Sequence, residues 1–302
     1  KKEETELSLV ATINNTRVVD SAYDVGVVAP KSSQIIMFAI VIGIIIPVII
    51  MLLIDFFDNK IADKKEIEEG TSVPIIGELS FGKGIKNTVA ITKTRSAIAE
   101  QFRLVCANLQ YLATGNSSKT VLVTSFMSSE GKSFTSVNLA GSLASMNANV
   151  LLLEFDLRKP KLSRYLELKP KYGITDYLVN EIPFSQLIST VPGKEHLDVI
   201  TCGPVPPNPA ELIQTERLEK LLHYARQHYK YIIIDSPPAG LVADSFLLGK
   251  YADITLFILR HRYSFKTTIK YIEKLYTEQK LNRLNIVVNG IKEPSGSAYT
   301  YG

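Results

Sequence analysis

An α/β fold, a parallel sheet with helices on both faces preceded by one transmembrane helix, is what this sequence predicts, on three observations. Short apolar runs at Val121–Thr124, Val150–Leu153, Tyr231–Ile234, Ile254–Leu259 and Leu284–Val288 alternate with stretches of helical periodicity. Three of those runs end in chemistry: Gly131-Lys132-Ser133 after the first, Glu154 and Asp156 after the second, Asp235 after the third. Far ahead of them, twenty residues from Ile35 to Ile54 carry no charge.

The first run sets the rest in order. Thr124 to Glu130 holds the small and polar residues of a tight loop, and a helix with apolar positions Val137, Leu139, Ala140, Leu143 and Ala144 follows Gly-Lys-Ser. Strand, loop, Gly-Lys-Ser and helix together read as a phosphate-binding loop, and the fold as P-loop NTPase-like. Backbone N–H groups and the helix N-terminus face an anion, Lys132 reaches the outer phosphates, and the Ser133 hydroxyl is placed for Mg²⁺. Ser129, Glu130, Gly131, Lys132, Ser133 and Phe134 are the nucleotide contacts this motif nominates. The motif is imperfect, since Phe126 stands where a GxxxxGK[ST] loop has Gly. An ordinary strand-to-helix turn would also contain such a tripeptide; the neighbouring strand tips decide against that reading.

Glu154 and Asp156 fall on one side of their strand, because side chains alternate with period two. Ligands of open α/β sheets bind outside the carboxyl ends of the strands, where these acids and Asp235 lie. Further strands are expected at Val73–Leu79 and Leu197–Thr201, with helices over 95–112, from Pro209 to about Gln227, and at Tyr263–Leu281. On the first of these helices Ile98, Phe102, Val105, Leu109 and Leu112 share a face, and Glu100 and Arg103 pair at i, i+3.

A helix over Ile35–Ile54 covers roughly 30 Å, the hydrocarbon thickness of a bilayer. Its mid-chain position excludes a cleavable signal, and Pro47 is tolerated in a membrane helix. Lys31 and Arg17 precede it at a distance, whereas Lys60, Lys64 and Lys65 follow within a dozen residues, which orients the C-terminal side to the cytoplasm. The expected organisation is 1–34 as an extracytoplasmic end, 35–54 as the span, 55–94 as a linker, 95–293 as the nucleotide domain and 294–302 as a tail. The first residue is Lys1, already mid-pattern, as in a fragment of something longer or a processed chain.

Composition narrows the classes. A net charge of +4 without a basic stripe argues against nucleic acid. Two cysteines, Cys106 and Cys202, are too few for a disulfide framework or a zinc site and read as buried residues in a reducing compartment.

The segments SSEGKS, VLLLEFDLRKP and YIIIDSPP resemble the Walker A, A′ and B motifs of bacterial tyrosine kinases (BY-kinases), the cytoplasmic half of the polysaccharide co-polymerases that govern capsule and exopolysaccharide export. The resemblance covers most of the chain: the end of the outer chain-length-determinant region, a membrane span and the kinase domain. It implies ATP and Mg²⁺ as cofactors, phosphate binding by Lys132, and metal binding by Ser133, Asp156 and Asp235. It makes Glu154 the base for the tyrosine hydroxyl and Asn289 a contact to adenine, and Arg158 or Lys159 of the LRKP segment would draw in phosphate or the acceptor tail. Tyr299 and Tyr301 match the start of the family's acceptor cluster. Glu100 and Arg103 match the start of an E-x-x-R-x-x-R helix that packs neighbouring subunits into a ring. The partners implied are other copies of the chain, the polysaccharide polymerase and export machinery, a cognate tyrosine phosphatase and the bilayer of the bacterial inner membrane.

Three departures stand out: Glu154 where the family has Asp, Cys106 where it has the last Arg of the ring helix, and Phe126 with Ser129 in place of small loop residues. A nucleotide-binding membrane scaffold with weak or no kinase activity is the second reading. A MinD/ParA-like ATPase is the third, with LRKP and the membrane span counting against it.

Overall fold

Runs such as Val121–Val123 and Ile232–Ile234 are apolar at every position, so neither face of their strands can meet water. The computed structural model describes residues 26, 32–80, 96–112 and 117–291 and satisfies this with an eight-stranded sheet. In chain order the strands are β1 (Ile75–Ser80), β2 (Lys119–Ser125), β3 (Val150–Glu154), β4 (Ser189–Val191), β5 (Lys194–Ile200), β6 (Tyr231–Asp235), β7 (Ile254–Arg260) and β8 (Leu284–Ile291). Their spatial order is β1-β8-β7-β2-β6-β3-β5-β4, parallel throughout except for the short β4 against β5.

Side-chain alternation divides the core into two layers. Leu151, Leu153, Ile232, Ile234, Phe257 and Leu259 face one way; Val150, Leu152, Ile233, Leu256 and Ile258 face the other. In the described chain α1 (Ser32–Phe57) and α2 (Lys64–Gly70) come first. Helices α3 (Ala97–Leu112) and α4 (Lys132–Ser145) cover the second layer through Phe102, Val105, Leu109, Val137 and Leu143. After them come the short α5 (Leu162–Tyr165), α6 (Ile174–Val179) and α7 (Pro209–Ile213). The first layer is covered mainly by α8 (Glu216–His228) and α10 (Thr267–Thr277), with Leu221, Ala225, Ile269 and Ile272 inside; α9 (Asp244–Gly249) follows β6.

Residues 1–58 and 59–302 form separate units. In the first, α1 contains Pro47, and its stretch from Ser32 to Leu53 has a mean hydropathy of 3.3 with every side chain exposed. A soluble core helix would be buried; this one is long and apolar enough to cross a membrane. It runs past the expected 35–54 at both ends. The remainder of the expected outer region, Tyr299 and Tyr301 lie outside the described residues.

Sequence and structure part where tertiary contacts decide. The sheet unit reaches back into the expected linker, since α2 and β1 belong to it and β1 pairs with β8. Asn59 to Ile61 is stitched to the turn before α10, with Ile61 donating to the Ser264 carbonyl (2.9 Å) and Arg262 donating to that of Ile61 (2.8 Å). The helix expected from Pro209 to Gln227 is two helices, because Thr215 adopts an extended backbone and starts a second helix with Glu216 and Glu219 in its first turn, where the macrodipole favours acids. The helix expected over Tyr263–Leu281 is shorter at both ends, since residues 261–266 form that stitched turn.

Candidate functional site

The loop between β2 and α4 is held from behind. The Arg260 guanidinium donates to the Ser129 carbonyl (2.7 Å), the Tyr263 hydroxyl to that of Ser128 (3.1 Å) and the Asn289 amide to that of Glu130 (2.9 Å). Three consecutive carbonyls are therefore engaged by side chains of the β7 and β8 ends. Ser129 (φ 67°) and Gly131 (φ 103°) both take left-handed backbone, the alternating habit of an anion-binding nest. Glu130 is fully buried and does not line the cavity; its carboxylate accepts the Met127 N–H (2.7 Å) and the Ser264 hydroxyl. Its side chain braces the loop from behind instead of facing the cavity.

Gly131 is required twice over. Its φ disfavours a side chain, and a Cβ there would overlap the Asn289 amide. Gly131→Ala is expected to push Asn289 off the loop and weaken nucleotide binding at least about ten-fold, measured by titration with a fluorescent ATP analogue. Phe126 finds its explanation far along the chain. Its ring packs edge-on to Tyr271 (centroids 5.0 Å, 69°), and Gly240 lies so close that any side chain there would overlap the ring. A glycine elsewhere thus makes room for the phenylalanine that the motif does not expect.

A cavity of about 470 Å³ opens in front of the loop, within the range of small-molecule sites. Ser129, Gly131, Lys132, Ser133 and Phe134 line it together with Asp156 and Asn289, so most of the nominated residues meet at one place. Lys159, Lys161, Tyr165 and Arg260 also line it, and the motifs gave no reason to choose the last three. Lys132 is only 6% exposed. Burial lowers its ammonium pKa, Asp235, Asp156 and Glu130 hold it up, and Lys161 pushes it down again. Burial raises the Asp156 carboxyl, which Lys132 and the Lys159 N–H (3.1 Å to Oδ1) oppose.

Asp235 lies beneath the cavity wall, 1% exposed, and burial pushes its carboxyl up to about 7 against the pull of the Ser133 hydroxyl and Lys132. Oδ1 accepts the Ser136 hydroxyl (3.1 Å), while Oδ2 makes no hydrogen bond among the described residues. An orphaned buried carboxylate oxygen beside a serine hydroxyl suits a hard divalent cation, so the donor set fits Mg²⁺.

Besides Glu130 and Asp235, two further expected residues, Glu154 and Arg158, do not line the cavity. Glu154, 1% exposed, accepts backbone N–H groups from Lys161, Leu162 (2.6 Å) and Cys202 (3.0 Å). Its carboxylate pins the segment after β3, where the sequence expects a base for the tyrosine hydroxyl. Arg158 does not line the cavity and forms a bidentate pair with the buried Asp244 at 2.9 and 3.2 Å. No spacing rule links residues 86 apart, so the sequence gives no sign of this pair.

Glu100 and Arg103 are exposed and paired on α3. Cys106, one turn on from Arg103, is fully buried, so the departure from the ring motif falls at a packing position. Burial raises the thiols of Cys106 and Cys202 to about 12 each. Both are expected to resist iodoacetamide in the native protein at pH 8 and to react in urea, read by mass spectrometry.

Residues 121–300 match the CobQ/CobB/MinD/ParA nucleotide binding domain family. The chain is 33% identical over 216 residues to the tyrosine-protein kinase YwqD of Bacillus subtilis, covering 72% of this chain and 91% of that one. It is 25% identical over 319 residues to the tyrosine-protein kinase Wzc of Salmonella typhi, which takes in all of this chain but 44% of Wzc. Among solved structures, the kinase domain of the Escherichia coli tyrosine kinase ETK superposes with a TM-score of 0.70 at 25% identity, covering 80% of this chain and 98% of that one. The chimerical protein CapA2B2 gives 0.70 at 27% identity, over 76% and 100%.

Proposed function

For a chain that belongs to the bacterial tyrosine-protein kinases and, over residues 121–300, to the CobQ/CobB/MinD/ParA nucleotide binding domain family, we propose transfer of the ATP γ-phosphoryl group to the tail tyrosines Tyr299 and Tyr301 of a neighbouring copy. The observation that carries this is the convergence of Lys132, Ser133 and Asp156 on one cavity at the carboxyl edge of the parallel sheet. In the transfer, a bond forms between the tyrosine oxygen and the γ-phosphorus, the bond to the β–γ bridging oxygen breaks, ADP leaves and the phenolic proton passes to a base.

Loop amides and the Lys132 ammonium bind the phosphates and offset the charge that spreads over the transferred group. Asn289 borders the cavity on the β8 side, where it would meet the base of the nucleotide. Ser133 and Asp235 would hold Mg²⁺, which supplies further neutralisation of phosphate charge when bound. Asp156 is the carboxylate lining the cavity, with Oδ1 on the Lys159 N–H, so we assign Oδ2 the phenolic proton. A carboxylate that neutralises a divalent ion is a poor base, so Asp156 takes this duty instead of metal binding. A phenol with a pKa near ~10 is protonated at neutral pH, and a base in line speeds its attack.

The apolar helix α1 would anchor the kinase in the bacterial inner membrane with the sheet unit in the cytoplasm. The exposed Glu100–Arg103 face of α3 would meet the next copy in a ring, and the polymerase, export machinery and a tyrosine phosphatase are the further partners we expect. One observation favours the scaffold reading, the withdrawal of Glu154 from the cavity. Incubation of the membrane-embedded chain with Mg-ATP, followed by mass spectrometry, separates the readings. Phosphotyrosine on residues 296–302 supports the kinase; nucleotide-dependent assembly without it selects the scaffold, and phosphate release alone selects an ATPase.

A further inference from the structure

The strand order gives the cavity two unlike ends. On one side of the phosphate loop, β7, β8 and β1 contribute Arg260, Asn289 and Ser80. On the other, the segment after β3 contributes Asp156, Lys159, Lys161 and Tyr165. Asp156, the assigned base, places the incoming tyrosine at the second end. There two exposed lysines stand against one carboxylate, and neither ammonium makes a hydrogen bond or ion pair among the described residues.

The backbone beneath these cations is held in place. Arg158 is locked to Asp244, the Lys159 N–H is on Asp156, and the Lys161 and Leu162 N–H groups are on the buried Glu154. The backbone that carries both lysines is therefore clamped on each side of them, with Lys161 close enough to Lys132 to disfavour its charge. Two lysines against one carboxylate leave this end with an excess of positive charge that suits a further anion, and the loop amides and Lys132 already serve the nucleotide.

The acceptor sequence supplies a matching anion. Tyr299 and Tyr301 are two residues apart, which on an extended chain puts both on one face, about 6.6 Å apart. Phosphorylation of one sets a charge of about −1.5 to −2 beside the other. We propose that Lys159 and Lys161 form an anion subsite beside the acceptor position, which selects tyrosines flanked by an existing phosphotyrosine, so that the first phosphorylation of a tail promotes the second. The proposal rests on the kinase reading above and goes beyond it in naming the substrate class.

The test uses the full chain in nanodiscs, Mg-ATP and two peptides of residues 295–302, one unmodified and one phosphorylated at Tyr299 with Tyr301 as acceptor. The KM is expected to be about 5–10-fold lower for the phosphorylated peptide, in the range of a partly exposed charge contact, and the advantage should erode as NaCl rises from 50 to 500 mM. In the double variant Lys159→Ala, Lys161→Ala the ratio should fall close to one. Equal KM values in the unaltered protein, with both peptides labelled, overturn the subsite and leave the kinase standing. A several-fold rise in the KM for ATP in the double variant also overturns it, because the lysines then serve the nucleotide. Failure to label either peptide or the chain's own tail removes the kinase reading itself, and the subsite with it.

Discussion

Lys132→Met is expected to lower tyrosine phosphorylation at least about a hundred-fold while leaving the fold intact, the scale seen when one preorganised charge-stabilising donor is removed. The lysine is buried and its ammonium is disfavoured there, so the native protein keeps it at a cost in stability. Methionine fills a similar volume without a charge to desolvate. The thermal midpoint should therefore hold or rise as activity collapses. Anti-phosphotyrosine detection and a thermal melt on the same preparation check both halves. A melt that falls with the activity would mean that Lys132 works through folding and not through phosphate.

The second large effect separates the two acids after β3. Asp156→Asn should lower kcat by about 10²- to 10⁴-fold, the usual contribution of a positioned base, with little change in the KM for ATP. Glu154→Gln should instead act on stability. Its carboxylate accepts three backbone N–H groups, and an amide presents a donor to at least one of them. Leaving that buried N–H unpaired costs about 1–3 kcal/mol, read from urea unfolding, with kcat falling far less than in Asp156→Asn. The reverse ranking would restore Glu154 as the base.

Much of this site was legible in the residues themselves. Three strand tips, one of them the glycine-lysine-serine turn, can be read from apolar runs and their endings, because a strand buried on both faces must be continuously apolar. Period-two alternation puts Glu154 and Asp156 on one edge, but β3 ends at Glu154, and alternation does not say which of the two meets solvent. That depends on Lys161, Leu162 and Cys202 offering N–H groups to Glu154, contacts made only when the chain has folded. The same limit hides Arg158 on Asp244 and Phe126 over Gly240. The strand expected at Val73–Leu79 is found as β1 (Ile75–Ser80), but its parallel partner β8, some two hundred residues on, cannot be read from so short a run in a polar segment.

The central claim is that a nucleoside triphosphate lies in front of the phosphate loop with its outer phosphate between Lys132 and Asp156. A crystal structure with Mg²⁺ and a non-hydrolysable ATP analogue measures this directly. The γ-phosphate is expected on the Lys132 ammonium, the metal beside Ser133 and Asp235, and Glu154 still bound to the amides of Lys161 and Leu162. A γ-phosphate remote from Lys132, or Glu154 swung into the cavity in place of Asp156, would contradict it.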